Sequence, residues 1–270
     1  MRRAKRQGAR ASRSTTLEVL ARWGLTARGF VYLVIGVVAW ALALGRTRRE
    51  GDQRGAFEAL AQRSGGTLLL MLVTVGLAGY ALWRLSEAAF GVAGDGNGAG
   101  ARLQSLARGV VYVGLAVSAL SVVDHPGHQP SQSREQQTLS ARLMHHTGGR
   151  LLLGAVGLVV AVVGLAMVYE GVSRRFERLL RLGDMSSKTR SVVVALGTVG
   201  TTARGLVFAT TGGLVIAAAA TRDSTKASGL DGALRTLAHQ PYGAVLLCLA
   251  GTGLMVFGAY GIAEARWHKT

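Results

Sequence analysis

Three arginines and three glutamates are the residues whose types and spacing could do chemistry in this chain. The arginines stand in one recurring opening: Ala27-Arg28-Gly29, Ala107-Arg108-Gly109 and Ala203-Arg204-Gly205. Four residues past each arginine comes an aromatic ring, Tyr32, Tyr112 or Phe208, and four further a small residue, Gly36, Ala116 or Gly212. Positions four apart share one helix face, so each copy presents a stripe of cation, ring and small residue. Glu87, Glu170 and Glu264 recur downstream of the three openings. An arginine beside a carboxylate in an apolar setting forms a bidentate pair that satisfies both groups. Three such pairs are expected, Arg28 with Glu87, Arg108 with Glu170 and Arg204 with Glu264, or the same partners exchanged between neighbouring copies. They would staple helices together, or form a charged ring that gates a central path.

These residues are positioned by apolar segments. Charged residues are absent from 29–45, 64–83, 109–123, 151–169, 205–221 and 240–263, and all 31 basic and 14 acidic residues lie elsewhere. A soluble helix of such length would carry a wetted stripe, and these have none. Spanning a hydrocarbon core of about 30 Å takes roughly 20 residues. Where a stretch is shorter, Arg28, Arg108 or Arg204 stands at its start, and a long stem can bury while its head reaches the headgroups. The expected fold class is all-α, a polytopic bundle of six transmembrane helices.

The two-helix unit repeats in tandem. Residues 55–88 align without a gap to 232–265 at Gly55/Gly232, Leu60/Leu237, Gly66/Gly243, Gly76/Gly253 and Glu87/Glu264. The middle copy follows at a shift of 83, with Leu143, Gly149, Leu151 and Glu170 opposite Leu60, Gly66, Leu68 and Glu87. The chain thus divides into a basic tail with an amphipathic approach helix (1–24) and repeats at 25–92, 101–183 and 190–268. Each unit crosses twice, so all three insert with one polarity, which implies a pseudo-threefold bundle about the membrane normal. The thrice-repeated Ala-Arg-Gly opening, the Gly76-Leu77 and Gly253-Leu254 pairs and the closing Tyr260-Gly261-Ile262-Ala263-Glu264-Ala265-Arg266 resemble the family called domain of unknown function 1206. That resemblance spans about residues 20–268 and implies a six-helix membrane protein with no known activity. Phe208 departs from the tyrosine of the other two openings.

Orientation follows from charge. With six crossings, the two tails and the second and fourth loops hold 20 of the 31 basic residues, and the opposite side 11, with the 14 acidic residues split evenly. The richer side is expected in the cytoplasm of a bacterial cell, with both termini there and the plasma membrane as the location. The net charge of +17 is then a topology signal, and nucleic acid is not expected as a partner. Arg2, Arg3, Lys5, Arg6, Arg10 and Arg13 suit contact with anionic lipid. So do Arg174, Arg175, Arg178 and Arg181, which surround Val172, Phe176, Leu179 and Leu180 in the pattern of an interfacial amphipathic helix. Another such helix is expected near Leu17, Leu20 and Ala21, after a capping-box sequence at Thr15-Thr16-Leu17-Glu18.

Other signals read as structural. His125, His128, His145 and His146 fall in one loop, without the acidic or cysteine partners at a matching spacing that would argue for a metal site. Gly94–Gly100 contains a Gly-x-Gly-x-x-small pattern, but a dinucleotide fingerprint needs a preceding strand, and a membrane helix precedes it. Cys248 is the only cysteine. No intramembrane His/Glu pair, Ser/Lys dyad or ligand motif is present, so no enzyme and no cofactor are expected. Two function classes remain: a structural or interaction protein whose protein partner is not readable, and a small-solute or ion conduit along the pseudo-threefold axis. The many intrahelical glycines suit close helix approach.

Overall fold

The computed structural model describes residues 15–47, 50–90, 99–124 and 132–267, all helical or in short connections. Its α-helices are α1 (Thr15–Ala43), α2 (Gln53–Ala61), α3 (Gly66–Phe90), α4 (Ala99–Asp124), α5 (Gln132–Met144), α6 (Thr147–Val172), α7 (Ser187–Thr221), α8 (Gly229–Ala238) and α9 (Gly243–Trp267). Segments long and apolar enough to cross a membrane occur in α1, α3, α4, α6, α7 and α9. Their outward faces are aliphatic, with Leu151, Val159 and Leu165 exposed by 73, 62 and 59%. Contiguous apolar surface of this kind is incompatible with water and matches lipid. The chain is a multi-pass membrane protein.

Each repeat is a long helix, a short helix and a second long helix. The short elements α2, α5 and α8 were not visible as separate helices in the charge pattern. Local chemistry fixes their ends. Asp52 caps α2, its side chain accepting from the Gly55 amide at 2.9 Å, which satisfies one of the donors a helix start leaves unpaired. The return into the membrane needs a glycine in all three copies. A Cβ at Gly66, Gly149 or Gly243 would collide with the carbonyl of Leu60, Leu143 or Ala238, respectively.

The membrane helices lie in the neighbour order α4, α3, α1, α9, α7, α6, an arc built from α3·α4, α1·α3, α1·α9, α7·α9 and α6·α7 interfaces. The interfaces between repeats are related by register. Gly29 approaches Gly258 and Ile262, Gly109 approaches Leu85, and Gly205 approaches Gly164 and Val168. Leu85, Val168 and Ile262 are equivalent in the repeat alignment, so the first helix of each repeat packs on the second helix of the one before it. This is the expected pseudo-threefold arrangement. It has one departure: α4 and α6, the two helices of the middle repeat, form no extensive interface, whereas α1·α3 and α7·α9 do. A seam therefore separates the ends of the arc.

Two expectations are corrected. The segment after α6 is not an amphipathic α-helix. Arg174 turns left-handed at φ 55°, a 3₁₀ turn follows over Arg175–Leu179, and Phe176 and Leu180 are 2% and 1% exposed. These two side chains plug the bundle, Phe176 against the Tyr260 ring at 5.4 Å. Val172 faces outward, and Arg174, Arg175 and Arg178 are exposed around the plug, with Arg181 half-buried. Nor is there a separate approach helix before the first crossing, because α1 runs unbroken from Thr15. The side chains of Thr15–Glu18, Leu20, Ala21 and Leu179, the basic residues from Arg2 to Arg13, most of the Gly94–Gly100 stretch, and His125 and His128 lie outside the described residues.

Candidate functional site

The arginines of the three openings converge at one end of the bundle, but not in three equal pairs. Arg28 Nη2 donates to Glu264 Oε2 at 2.6 Å, with both side chains largely buried, at 13 and 8% exposure. This is the exchanged arrangement, first helix of one repeat to second helix of the preceding one. It follows from the packing, because the glycine after Arg28 lies against Gly258 on the helix that carries Glu264. The within-repeat pairing of Arg28 with Glu87 does not form. Glu87 instead accepts from Arg84 Nη1 at 2.7 Å and from the Ser105 hydroxyl at 3.2 Å. Arg84 is held further by Tyr80, whose hydroxyl accepts from Nε and Nη2 at 3.0 and 2.9 Å, and its guanidinium stacks 4.2 Å from the Trp83 ring.

Among the described residues Arg204 takes no glutamate. Its Nε donates to the Tyr32 hydroxyl at 2.9 Å, and its guanidinium lies 5.1, 4.9 and 4.7 Å from the rings of Tyr32, Phe208 and Phe257. Desolvated cation–π contacts of this kind contribute on the order of 2 kcal/mol each, enough to replace an ion partner when several rings converge. Glu170 is half-buried and Arg108 exposed, and they are not paired with each other. The aromatic stripe is therefore interior: Tyr32 and Tyr112 are 5 and 8% exposed, and Tyr112 stacks on Tyr80 at 4.4 Å between centroids. Of the expected Arg–Glu pairings only Arg28–Glu264 forms among the described residues, and one extra cation, Arg84, takes Glu87; its counterparts in the other repeats are Met167 and Gly261.

The opposite end carries a second polar assembly. There α2, α5 and α8 of the three repeats clasp one another around Asp231. Its carboxylate accepts from the Gly51 amide at 2.8 Å, the Ser133 hydroxyl at 3.2 Å and Arg235 Nε at 2.7 Å. Arg54 reaches Glu135 at 3.4 Å, and Gln137 donates to the Ser228 hydroxyl at 2.7 Å. A cavity of about 700 Å³ opens beside this clasp, lined by Glu50, Gln137, Asp231, Arg235 and His239 among others. Nothing in the repeat alignment marked it, since Arg54, Gln137 and Asp231 are equivalent positions carrying a cation, an amide and an anion. The usable signal was the Asp52-x-x-Gly55 cap between two apolar segments. Among the described residues no group of three or more His, Cys, Asp or Glu could hold a metal ion.

Asp52 is buried in this cap at 2% exposure. Burial pushes its carboxyl up to about 7, Glu50 and Asp231 add to the rise, and the amides of Gly55 and Arg54 oppose it. The folded state therefore holds a proton that the unfolded chain, with an ordinary carboxylate, releases near pH 4. With more protons bound in the folded than the unfolded state, stability falls as pH rises from about 4 to about 7. Asp52→Asn keeps the acceptor for Gly55 and removes the titration. Thermal melting from pH 4 to 8 should show wild type losing on the order of 1–4 kcal/mol across that window and the variant holding level. Equal slopes in the two proteins would count against a protonated Asp52.

Three segments of the chain, 23–91, 103–174 and 199–268, match the model of a family described as Domain of Unknown Function (DUF1206). Across 253 residues the chain is 31% identical to the uncharacterized protein YxxB of Bacillus subtilis (strain 168), an alignment covering 92% of this chain and 90% of that one. No solved structure matches it.

Proposed function

The chain belongs to the DUF1206 family, and from that premise we propose a non-enzymatic structural or interaction protein of the bacterial plasma membrane, its arginine end in the cytoplasm with both termini. The observation that carries this reading is how the interior is used. One continuous cluster of buried side chains, including Tyr32, Ile35, Leu77, Tyr112, Leu254 and Phe257, fills the bundle, and the charges inside it are neutralised by protein groups or held against rings. Such an interior serves packing. The exposed arginines Arg174, Arg175 and Arg178 border the Phe176 plug at the arginine end and suit anionic lipid or an acidic partner surface.

The test is flux and topology together. Purified protein in liposomes is expected to pass no cations, anions or small neutral solutes above empty vesicles. Flux that changes in Arg108→Ala at equal insertion would overturn the reading in favour of a conduit. In a Cys248→Ser background, Thr225→Cys should react with a membrane-impermeant maleimide in intact spheroplasts, and Arg178→Cys only after permeabilisation; the reverse pattern would invert the orientation.

A further inference from the structure

Repeat register predicts an acceptor for every arginine of the three openings, and one arginine has lost both of its own. Arg28 pairs with the glutamate of the preceding repeat, so the counterpart for Arg108 is Glu87; that carboxylate is taken by Arg84 at 2.7 Å. Arg204 uses the tyrosine hydroxyl of the following repeat, Tyr32, so the counterpart for Arg108 is Phe208, which has no oxygen. Among the described residues Arg108 has neither an ion pair nor a hydrogen bond, and it is exposed. The groups that act on it electrostatically are the cations Arg84, Arg28 and Arg204 and, in the opposite sense, the phenol of Tyr80. Glu264 and Glu87 are taken by Arg28 and Arg84, and Arg204 is held by the Tyr32 hydroxyl and three rings, which leaves Arg108 as the arginine of the three openings without such a partner among the described residues.

Arg108 also stands on α4, which borders the seam. Among the described residues the extensive packing that joins the two long helices in the other repeats does not form between α4 and α6, and Val111 and Leu115, three and seven residues after Arg108 and so on its face of α4, are exposed and half-buried. A molecule filling this place must have an anionic head at the arginine level and an apolar body in the seam. A phosphate diester fits the head, since one guanidinium can bind it with two parallel hydrogen bonds. An acyl chain fits the apolar face of α4 that carries Val111 and Leu115 below Arg108.

We infer that the seam between α4 and α6 is a lateral binding site for an anionic glycerophospholipid whose phosphate is held by Arg108. This deepens the proposed function by naming a ligand class and a site, and it is distinct from surface contact at Arg174, Arg175 and Arg178.

The test uses the whole chain in detergent, delipidated and then titrated with phosphatidylglycerol, phosphatidylcholine or inorganic phosphate. Bound lipid is counted by native mass spectrometry and thermal stabilisation is followed in parallel. Wild type should retain phosphatidylglycerol in preference to phosphatidylcholine, and Arg108→Gln should weaken that retention by roughly tenfold or more. Arg84→Met gives repeat 1 the residue that the middle repeat has there. It frees Glu87 for Arg108 and should lower retention without touching the arginine itself. Phe208→Tyr, which supplies the missing hydroxyl, should do the same in a fully folded protein. Replacing Arg174, Arg175 and Arg178 with glutamine should leave the tightly held lipid in place and reduce only general adsorption to anionic vesicles, so a failure of the surface reading shows separately. Equal retention by wild type, Arg108→Gln and Phe208→Tyr would overturn the site. Stabilisation by inorganic phosphate equal to that by phosphatidylglycerol would overturn a lipid ligand in favour of a soluble anion.

Discussion

Leucine at position 212 is expected to unfold the end of the arc, whereas leucine at the adjacent position 213 should be tolerated. Both residues are glycines in the middle of α7, and both substitutions raise intrinsic helix propensity by about 1 kcal/mol, so local helix formation cannot distinguish them. Their surroundings can. A Cβ at Gly212 would meet the backbone of α6, with the Gly157 carbonyl at 2.7 Å and Ala161 nearer still, whereas one at Gly213 meets nothing within 4 Å. Backbone cannot rotate aside as a side chain can, so α6 and α7 must separate. The consequence is large because α6 has no second extensive interface with a membrane helix; α4 does not take up the other side. Overpacking of a core costs about 1–3 kcal/mol when side chains give way, and more is expected where only backbone is in the path. Gly164→Leu, across the same interface against Ala209 and the Gly205 carbonyl, should behave like Gly212→Leu. Melting of purified protein in mild detergent checks this. Equal midpoints for the 212 and 213 variants would mean that α6 is not held by this contact.

How much of this was legible beforehand differs between the membrane helices and what joins them. Six spans, three repeats and their common polarity follow from where charge is absent, because hydrocarbon tolerates few ionised groups and the period of the motif sets the repeat. The exchange of partners between repeats was open in the sequence. It depends on which helix the glycine after each arginine touches, and spacing along one chain carries no such information. Arg84 shows the limit most clearly. Lying just after a charge-free stretch, it reads as a loop cation, yet it captures Glu87 and so decides the state of Arg108. The clasp at the far end was hidden for another reason. Arg54, Gln137 and Asp231 break the repeat in type while keeping it in position, so a search for identity passes over the residues that join the three units. Phe176 and Leu180 form a buried plug rather than a lipid-facing stripe, because a face shared on an ideal helix means nothing once Arg174 turns the chain left-handed.

Removing Glu264 is expected to cost about as much as any single side chain in the protein, because it leaves Arg28 buried without its counter-ion. Breaking one partner of a buried pair typically costs about 3–5 kcal/mol, while removing both is far milder. Glu264→Ala and Arg28→Ala should therefore each lower the melting midpoint sharply. The double variant should be more stable than either single, with a coupling energy of about 1–3 kcal/mol in the cycle. The Phe257 ring, 5.3 Å from the Arg28 guanidinium, offers a partial substitute, so Glu264→Ala is expected to be less severe than introducing a second cation by Glu264→Lys. Two controls separate this pair from the within-repeat alternative. Arg28→Ala combined with Glu87→Ala should show additive losses, since Glu87 is bound by Arg84 and Ser105 rather than Arg28. A swap placing glutamate at 28 and arginine at 264 should recover part of the stability that either reversal alone removes. If the cycle between 28 and 87 shows the larger coupling, helix hairpins are stapled within repeats and the inter-repeat order α9 to α1 cannot be the one that holds the arginine.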